Sequence, residues 1–200
     1  MRTYDPAFAW ELAILVRFGI HRMFIEDHNE LFYLMMYNQA LPQPPKPELP
    51  ELEEGVMRGG YLLEAPSGDG PRVNLLGSGT ILSEVLEAAS VLRKEGFSVA
   101  VFSITSFIEL ARDAERAEEA GEPASSWLAK LFGVDDSPCI AATDYVRALP
   151  RMIASWVPGS FIALGTDGFG LSERREVLRR HFRVDAAAIA RAARNSVGRH

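Results

Sequence analysis

Residues 72–104 read RVNLLGSGTILSEVLEAASVLRKEGFSVAVFSI, and this stretch decides the fold. Its two ends, 72–77 and 97–104, are short apolar runs that predict buried strands. Between them, apolar residues recur at helical spacing over 81–95, and Gly96 is typical of a helix end. Strands that alternate with helices in this way predict a mostly parallel sheet covered by helices.

The same alternation continues along the chain, so residues 71–200 are expected to form one α/β domain. Its sheet is expected to be mixed but mostly parallel, with helices on both faces. Beyond residue 104, the predicted helices cover 107–120, 145–156, 174–181 and 186–193, and the predicted strands cover 139–143 and 161–165.

An N-terminal arm, residues 1–45, precedes this domain. Residues 6–25 predict a helix whose apolar face is built from Phe8, Leu12, Leu15, Val16, Ile20 and Met23. The run 31–37, LFYLMMY, is short and continuously apolar, which predicts a strand buried on both faces. Such a strand needs neighbours on each side, and the preceding residues offer one helix. We therefore expect the arm to be a helix–strand unit whose sheet is completed by something else.

Prolines separate the arm from the domain. Residues 41–50 contain five of them, which predicts an extended, semi-rigid spacer, with a proline-rich ligand for a partner domain as the alternative. Residues 46–70 are expected to be the linker, within which 51–60 favour a short helical turn and 61–64 a strand.

Composition and charge narrow the classes of function. The chain of 200 residues is 48% hydrophobic and has a net charge of -6, which fits a globular domain and argues against a nucleic-acid partner. The arginines between 174 and 194 alternate with acidic residues and predict a solvated helix face. The single cysteine, Cys139, lies in a predicted strand and favours a core thiol over a nucleophile. Without an apolar run of membrane length or a recognisable signal peptide, we expect a cytoplasmic protein with no membrane partner.

Several loops follow the carboxyl ends of predicted strands, where open α/β sheets place their ligands. The loop Gly77, Ser78, Gly79, Thr80 opens a helix and is a candidate anion site, although close packing and helix capping by Ser78 or Thr80 are the favoured interpretation. The candidate cleft-lining residues are Ser106, Glu109, Arg112, Asp113, Asp144 and Asp167.

Alternatives stay open for two of these groups. Glu109, Arg112 and Asp113 share one face of a predicted helix, where they either line a cleft or form a surface ion network. Asp167 lies in a glycine-rich loop and is either catalytic or, more commonly for such a residue, an acceptor for backbone N–H groups of its own loop.

Five segments in a fixed order carry a resemblance to a known family: Leu75–Leu82, Ser103–Asp113, Ala142–Tyr145, Leu164–Glu173 and His181–Ala186. Together with Tyr4–Glu11 and Glu54–Tyr61, they resemble the C-terminal region of the homodimeric-type pyruvate dehydrogenase thiamine-dependent component. The resemblance implies that 1–45 is the end of a pyrimidine-binding domain and that 71–200 is a transketolase-like C-terminal domain.

The resemblance also implies an activity and cofactors. The complete family enzyme decarboxylates pyruvate oxidatively, transfers acetyl to lipoyl groups, and uses thiamine diphosphate and magnesium. Here Gly68-Asp69-Gly70 lies in a proline-flanked segment and is not followed by the asparagines of the family's metal motif. We interpret it as a tight turn rather than a metal site. The histidines match none of the family's catalytic positions; they are His21, His28, His181 and His200.

These departures set the expectations for function. We expect the chain to bind no cofactor and to have no activity by itself, and to act with a complementing N-terminal chain of the same enzyme or as a homodimer. The lipoyl acyltransferase component is the expected partner in the full complex. The alternative is a non-catalytic dimerisation or interaction module that buries apolar arm residues against a second copy: Phe8, Phe32, Tyr33 and Met35.

Overall fold

The computed structural model describes residues 1–197. Its strands, in chain order, are β1 (Arg2–Tyr4), β2 (Phe32–Leu34), β3 (Tyr61–Glu64), β4 (Arg72–Gly77), β5 (Ser98–Ser103), β6 (Cys139–Ala142) and β7 (Phe161–Leu164). Its α-helices are α1 (Ala9–Ile20), α2 (Leu52–Arg58), α3 (Leu82–Lys94), α4 (Phe107–Glu119), α5 (Trp127–Phe132), α6 (Ala148–Arg151), α7 (Arg175–Phe182) and α8 (Ala186–Val197).

Five strands form the central sheet in the order β3-β5-β4-β6-β7. All neighbouring pairs are parallel except β3 and β5, so the predicted mixed, mostly parallel sheet is confirmed. The two strands of the opening stretch pair in register from Arg72 opposite Ser98 to Gly77 opposite Ser103. Strand β3 falls in the range assigned to the linker, and the sheet therefore starts at Tyr61 rather than at Arg72.

Helices cover both faces of this sheet, as expected. Because successive strand residues point to opposite faces, Leu75 packs with α3 and α8, whereas Leu76 packs with α4 and α5. Cys139 is fully buried in the second of these clusters, and burial raises the pKa of its thiol to about 12. The predicted core thiol is confirmed.

The helix of the arm differs from the predicted one in its end and in its buried face. Helix α1 ends at Ile20 and continues as one π-helical turn, His21–Ile25. Its buried residues are Glu11, Ile14, Leu15 and Gly19, and the predicted inward residues Val16 and Ile20 are exposed. The predicted face was right for Phe8 and Leu15, which are buried. It was wrong for Val16 and Ile20, because a charged residue, Glu11, takes a buried position that apolar periodicity assigns to solvent.

The arm strand is also more exposed than predicted. Strand β2 pairs in parallel with β1 as a separate two-stranded sheet, and 56% of Tyr33 is open to solvent. Its inner residue Phe32 packs on Gly19 and stacks with Tyr4. Phe8, expected against a second copy, is already buried in the main core beside Trp10.

Two predictions in the second half of the chain were wrong. The helix predicted over 145–156 is reduced to α6 and a 3-10 turn at Ala154–Trp156. Helix α5 was not predicted, although Trp127, Leu128 and Phe132 are buried in it. The proline-rich residues 41–50 form no helix or strand. Within the described part of the chain, no helix combines the length and the apolar character that a membrane crossing requires.

Candidate functional site

The carboxyl ends of β4, β6 and β7 meet at one edge of the sheet. From β4 the chain crosses to β5 on one side, and from β5 it returns to β6 on the other side of β4. The connections therefore diverge between β4 and β6, which opens a crevice where α/β sheets commonly bind ligands. The loop 77–80 and Asp144 lie at this crevice.

The hydroxyl groups of the 77–80 loop hold the two neighbouring loops together. Ser78 Oγ lies 3.0 Å from Thr143 Oγ1, and Thr80 Oγ1 donates to Asp144 Oδ2 at 3.0 Å. Neither hydroxyl caps the following helix, so the predicted capping role was wrong. What the loop does provide is a rigid link between the ends of β4 and β6.

A carboxylate from the arm fills the space in front of this loop. Gly79 has a φ of +49° and donates its N–H to the Asp5 carbonyl at 3.1 Å, and a Cβ at this glycine would overlap the side chains of Asp5 and Tyr37. The Tyr37 hydroxyl donates to Asp5 and lies 3.2 Å from the Tyr145 hydroxyl. The position that an anion would take at the candidate anion site thus belongs to the chain's own carboxylate.

Burial controls the protonation of this carboxylate. Asp5 is 5% exposed, and desolvation raises its pKa to about 6, against the opposing hydrogen bonds from Tyr37 and Ser78. No sequence signal identified Asp5 or Tyr37, because their meeting with the 77–80 loop depends on how the arm docks.

Beside this contact, a cavity of about 290 Å³ opens between the β6 and β7 loops and α7. It is lined by Thr80, Asp144, Thr166, Phe169, Arg175 and Arg179, among others. Of the candidate residues from the sequence, Thr80 and Asp144 lie here. The arginines were expected on a solvated face, but the Arg179 side chain is largely buried and pairs with Glu84 at 2.8 Å.

Four of the other predicted cleft residues lie on α4 or at its start, away from the cavity: Ser106, Glu109, Arg112 and Asp113. Ser106 caps this helix by accepting the Glu109 N–H at 3.0 Å, and its hydroxyl donates to the Thr3 carbonyl at 2.6 Å. Buried Glu109 accepts from Arg2 and from Arg112, both at 2.7 Å. These contacts fasten the arm to the domain.

Asp113 has two structural partners. It accepts the backbone N–H of Trp127 at 2.6 Å and faces Arg58 at 3.2 Å. Glu109 and Asp113 also border a groove of about 600 Å³, from whose lining Arg112 is absent. The geometry therefore favours the ion-network interpretation over a shared cleft for the three α4 residues.

Asp167 is exposed and bonds to a neighbouring loop. It accepts the Arg147 backbone N–H at 2.9 Å and the Arg147 Nε at 2.6 Å, and these hydrogen bonds lower the pKa of its carboxyl. The expectation that it serves its own loop was wrong, since Arg147 follows β6 whereas Asp167 follows β7.

The residues described do not fit a thiamine diphosphate or metal site. Asp69 is in an exposed bend between Gly68 and Gly70. Residues 1–197 contain no group of three or more His, Cys, Asp or Glu side chains placed to hold a metal ion. His21 and His28 both face Glu26, at 3.3 and 3.2 Å, and the ring of His181 packs edge-on against Phe182. His200 lies outside the described residues.

Two family models match successive parts of the chain. Residues 1–44 match the pyruvate dehydrogenase E1 component middle domain, and residues 59–185 match the transketolase-like TK C-terminal domain. Between the two matches lies most of the proline-rich spacer.

Relatives with the same order of segments are known in bacteria. The chain is 40% identical over 200 residues to a pyruvate dehydrogenase E1 component of Escherichia coli K12, and 36% identical over 208 residues to one of Corynebacterium glutamicum. These matches cover 96% and 100% of the chain, but the chain spans only about a fifth (22%) of the length of each relative.

Solved structures of low sequence identity share the fold. Transketolase from Leishmania mexicana superposes with a TM-score of 0.68 at 19% identity, over 98% of this chain and 25% of that one. A structure described as a split gene transketolase, inactive beta4 tetramer, gives 0.66 at 17% identity, over 98% and 58%. On the family match over 59–185, the chain belongs to the transketolase-like C-terminal domain family.

Proposed function

We propose that this chain is the C-terminal part of a pyruvate dehydrogenase E1 component. In this proposal, it contributes to the oxidative decarboxylation of pyruvate and to acetyl transfer to lipoyl groups, but only together with the remaining part of the enzyme. Thiamine diphosphate and magnesium are bound by that remaining part, and the lipoyl acyltransferase component is a partner of the whole complex. A cytoplasmic location fits a chain whose single cysteine is a buried thiol.

One observation carries the proposal: an E1 middle-domain match is followed in the chain by a transketolase-like C-terminal-domain match, and the two matched parts dock on each other. The arm, matched as middle domain, contributes Glu11 to a buried hydrogen-bond cluster with Ser103 of the central sheet. Arg2 of the arm also donates a hydrogen bond to Glu109 of α4. We therefore propose that residues 1–45 are the end of a pyrimidine-binding domain, 46–70 the linker, and 71–200 the C-terminal domain. Strand β3 belongs to the linker in sequence but pairs within the sheet of the C-terminal domain.

The small sheet of the arm supports the proposal that another part of the enzyme packs against it. Strands β1 and β2 pair in parallel and have three residues each. Parallel sheets normally contain more strands than two and are covered on both faces. Nothing in residues 1–197 pairs with the outer edges of this pair. The absent part of the E1 component would supply the additional strands.

Complementation tests the proposal. The chain is co-expressed with the part of the Escherichia coli relative that precedes the matched region, and pyruvate-dependent reduction of an artificial acceptor is measured with thiamine diphosphate and magnesium. We expect turnover from the pair and none from either piece. Turnover by the isolated chain would contradict the proposal, as would failure of the two pieces to associate.

A matched pair of variants locates the contact. Tyr33→Asp places a charge on the exposed arm strand, and Val134→Asp places one on a loop where the side chain is 98% exposed. We expect the first variant to reduce complementation at least about tenfold, since burying an unpaired charge is costly. The second variant should complement like the unmodified chain.

A non-catalytic dimerisation module remains a second candidate. The observation that favours it is the exposed apolar surface of the arm, where Phe24 is 75% and Ile25 is 72% open to solvent. Large apolar patches of this kind usually mark interfaces. A second copy would cover the same surface that the complementing chain covers in the first proposal.

A further inference from the structure

We propose that the segments after β6 and β7 form a docking surface for an acidic segment of a partner protein. This basic loop surface consists of residues 145–152 and 166–175. Carboxylates of the partner pair with its arginines, and apolar side chains of the partner pack on Phe169 and Leu171. The inference is independent of the pyruvate dehydrogenase proposal, because it rests on the exposed side chains of these two segments.

The first argument is the exposure of large side chains. Every residue over 167–177 is exposed, and α7, which continues this stretch, has no buried residue. Phe169 is 95% open to solvent. The basic loop surface has three further exposed large apolar side chains: Val146, Met152 and Leu171. Because Phe, Met and Arg are enriched at protein interfaces, this combination suits a protein partner.

The second argument is an excess of positive charge. The basic loop surface contains four arginines and two carboxylates, whereas the whole chain has a net charge of -6. Both carboxylates already have partners within the chain. Asp167 accepts from Arg147 Nε at 2.6 Å, and Glu173 accepts the backbone N–H of Arg174 at 2.9 Å. The remaining arginines therefore have no carboxylate of their own surface to pair with.

Three guanidinium groups keep free donors as a result. The side chains of Arg151 and Arg174 form no hydrogen bond or ion pair within residues 1–197, and Arg175 donates only to the Asn38 carbonyl, at 3.1 Å. Arg151 lies close to the segment after β7, because its charge, after the hydrogen bonds from Arg147, helps to lower the pKa of the Asp167 carboxyl. A carboxylate is a strong acceptor for such groups.

Hydrogen bonds hold the two segments together as one surface. The Thr166 N–H donates to the Tyr145 carbonyl at 2.9 Å, and the Arg147 N–H donates to Asp167 at 2.9 Å. The backbones also approach closely, since a Cβ at Gly165 would lie 2.4 Å from the Tyr145 carbonyl oxygen. A surface that is fixed before binding loses less conformational entropy when a partner docks.

An acidic peptide segment fits this surface better than a larger polyanion does. The net charge of -6 means that most of the molecule would repel a nucleic acid or an anionic membrane. A peptide segment touches only the basic loop surface. Asp167 and Glu173 lie between the arginines in sequence, which favours a partner with a few separate charges over one with a continuous row of them.

Selection from a library of random peptides tests the inference. The library is displayed on phage and panned against the full chain, after removal of all phage that bind the double variant Arg151→Gln, Arg174→Gln. We expect the enriched peptides to be rich in Asp and Glu and to contain Leu or Phe. One of them is then synthesised and titrated by fluorescence anisotropy. Its dissociation constant should be below about 100 μM, and replacement of its carboxylates by amides should weaken binding at least about tenfold.

Two matched pairs of variants locate the contact. Arg174→Gln should weaken binding of the synthetic peptide at least about threefold, whereas Arg191→Gln, which removes the same charge from α8, should not. Phe169→Ser should weaken it about tenfold, because apolar burial is lost. Val134→Ser, at a side chain that is 98% exposed, should leave binding unchanged. All four replaced side chains are exposed, so the variants are expected to fold.

Three outcomes would overturn the inference. The first is that no acidic peptides are enriched. The second is equal binding of the peptide by the Arg174 and Arg191 variants. The third is that the chain binds vesicles of anionic phospholipid but no acidic peptide, with the same loss of binding in Arg174→Gln, which would assign the surface to a membrane instead.

Discussion

Glu11 shows how a single residue joins the arm to the sheet. Its carboxylate is fully buried and accepts from the Tyr61 hydroxyl at 2.7 Å, from Ser103 Oγ at 2.6 Å, and from the backbone N–H groups of Ala7 and Phe8. Burial raises the pKa of Glu11, and these hydrogen bonds partly oppose that effect. The residue therefore accepts hydrogen bonds from both the arm and the central sheet.

Removal of this hub should be costly. Glu11→Ala leaves four donors without their acceptor, most of them buried, so we expect a loss of about 3 kcal/mol or more in the free energy of unfolding. Glu11→Gln keeps the shape and should cost less. Urea denaturation followed by circular dichroism measures both, with exposed Glu118→Ala as control. A loss for Glu11→Ala no larger than that of the control would show that the cluster does not stabilise the fold.

Asp5 should make stability depend on pH. Its folded pKa of about 6 exceeds its ordinary value of 3.8, so the folded state holds the proton more tightly than the unfolded state. Stability from this group is therefore fully present below about pH 4 and is lost as the pH rises through about 6, by about 3 kcal/mol in total. The charges of Asp144 and Glu11 act in the same direction as burial.

The variant Asp5→Asn isolates this effect, because an amide does not titrate. Between pH 4 and pH 8, the unmodified chain should lose more unfolding free energy than the variant, by about 3 kcal/mol. Urea denaturation across this pH range gives the difference, and Asp136→Asn on an exposed loop serves as control. Parallel pH profiles for Asp5→Asn and the unmodified chain would refute the prediction.

At the residue scale, sequence patterns located some of the site. Thr80 and Asp144 follow strands, and the rule that ligands bind at the carboxyl ends of strands placed them at the crevice. Asp5, Tyr37 and Arg175 carry no comparable signal. Their roles depend on the docking of the arm and on the position of α7, which are tertiary contacts between residues far apart in the chain.

At the scale of elements, Gly59 fixes the joint between α2 and β3. It has a φ of +113°, and its carbonyl accepts the Ser106 N–H at 2.9 Å where α4 begins. A Cβ here would lie 2.5 Å from the Ser106 carbonyl oxygen and 3.0 Å from Leu110 Cγ. The turn therefore needs glycine for two reasons, backbone conformation and close approach.

A pair of glycine variants separates these two reasons. Gly59→Ala should destabilise the chain by about 3 kcal/mol, from left-handed strain and overlap together. Gly121→Ala, also at positive φ but with open space around it, should cost only about 1 kcal/mol. Thermal or urea unfolding compares them. Equal costs would mean that α4 moves aside without penalty.

Element prediction failed where local pattern and tertiary packing disagree. A helix was predicted over 145–156, but Pro150 has no N–H to donate to the carbonyl four residues before it, and the helix starts only at Ala148. Helix α5 is six residues long and was missed, because so few residues show no helical period. By contrast, the strands β4 to β7 were predicted well, since buried parallel strands are continuous apolar runs.

For the whole molecule, the arm surface should determine association. Eight large apolar side chains of the arm are exposed: Met1, Val16, Ile20, Phe24, Ile25, Leu31, Tyr33 and Met36. We expect the isolated chain to self-associate with rising concentration, because such a surface is seldom left in water. Sedimentation velocity measures the distribution of mass.

The double variant Phe24→Ser, Ile25→Ser should shift that distribution towards the monomer. The control Val134→Ser changes one fully exposed apolar residue in a loop outside the arm and should have no effect. A monodisperse monomer of the unmodified chain at high concentration would count against both the complementation and the dimerisation proposals.

The arm contacts also bear on how the chain is made. Glu11 and Ser103 are 92 residues apart, and Tyr37 and Tyr145 are 108 apart. At about 5–20 residues per second, a ribosome needs on the order of 5–20 s to make the docking surface after the arm has emerged. During that delay the domain surface on which the arm docks is not yet available, so we expect a holding chaperone to bind the exposed apolar residues of the arm. The arm is therefore made before the surface on which it docks, and must reach its native position late.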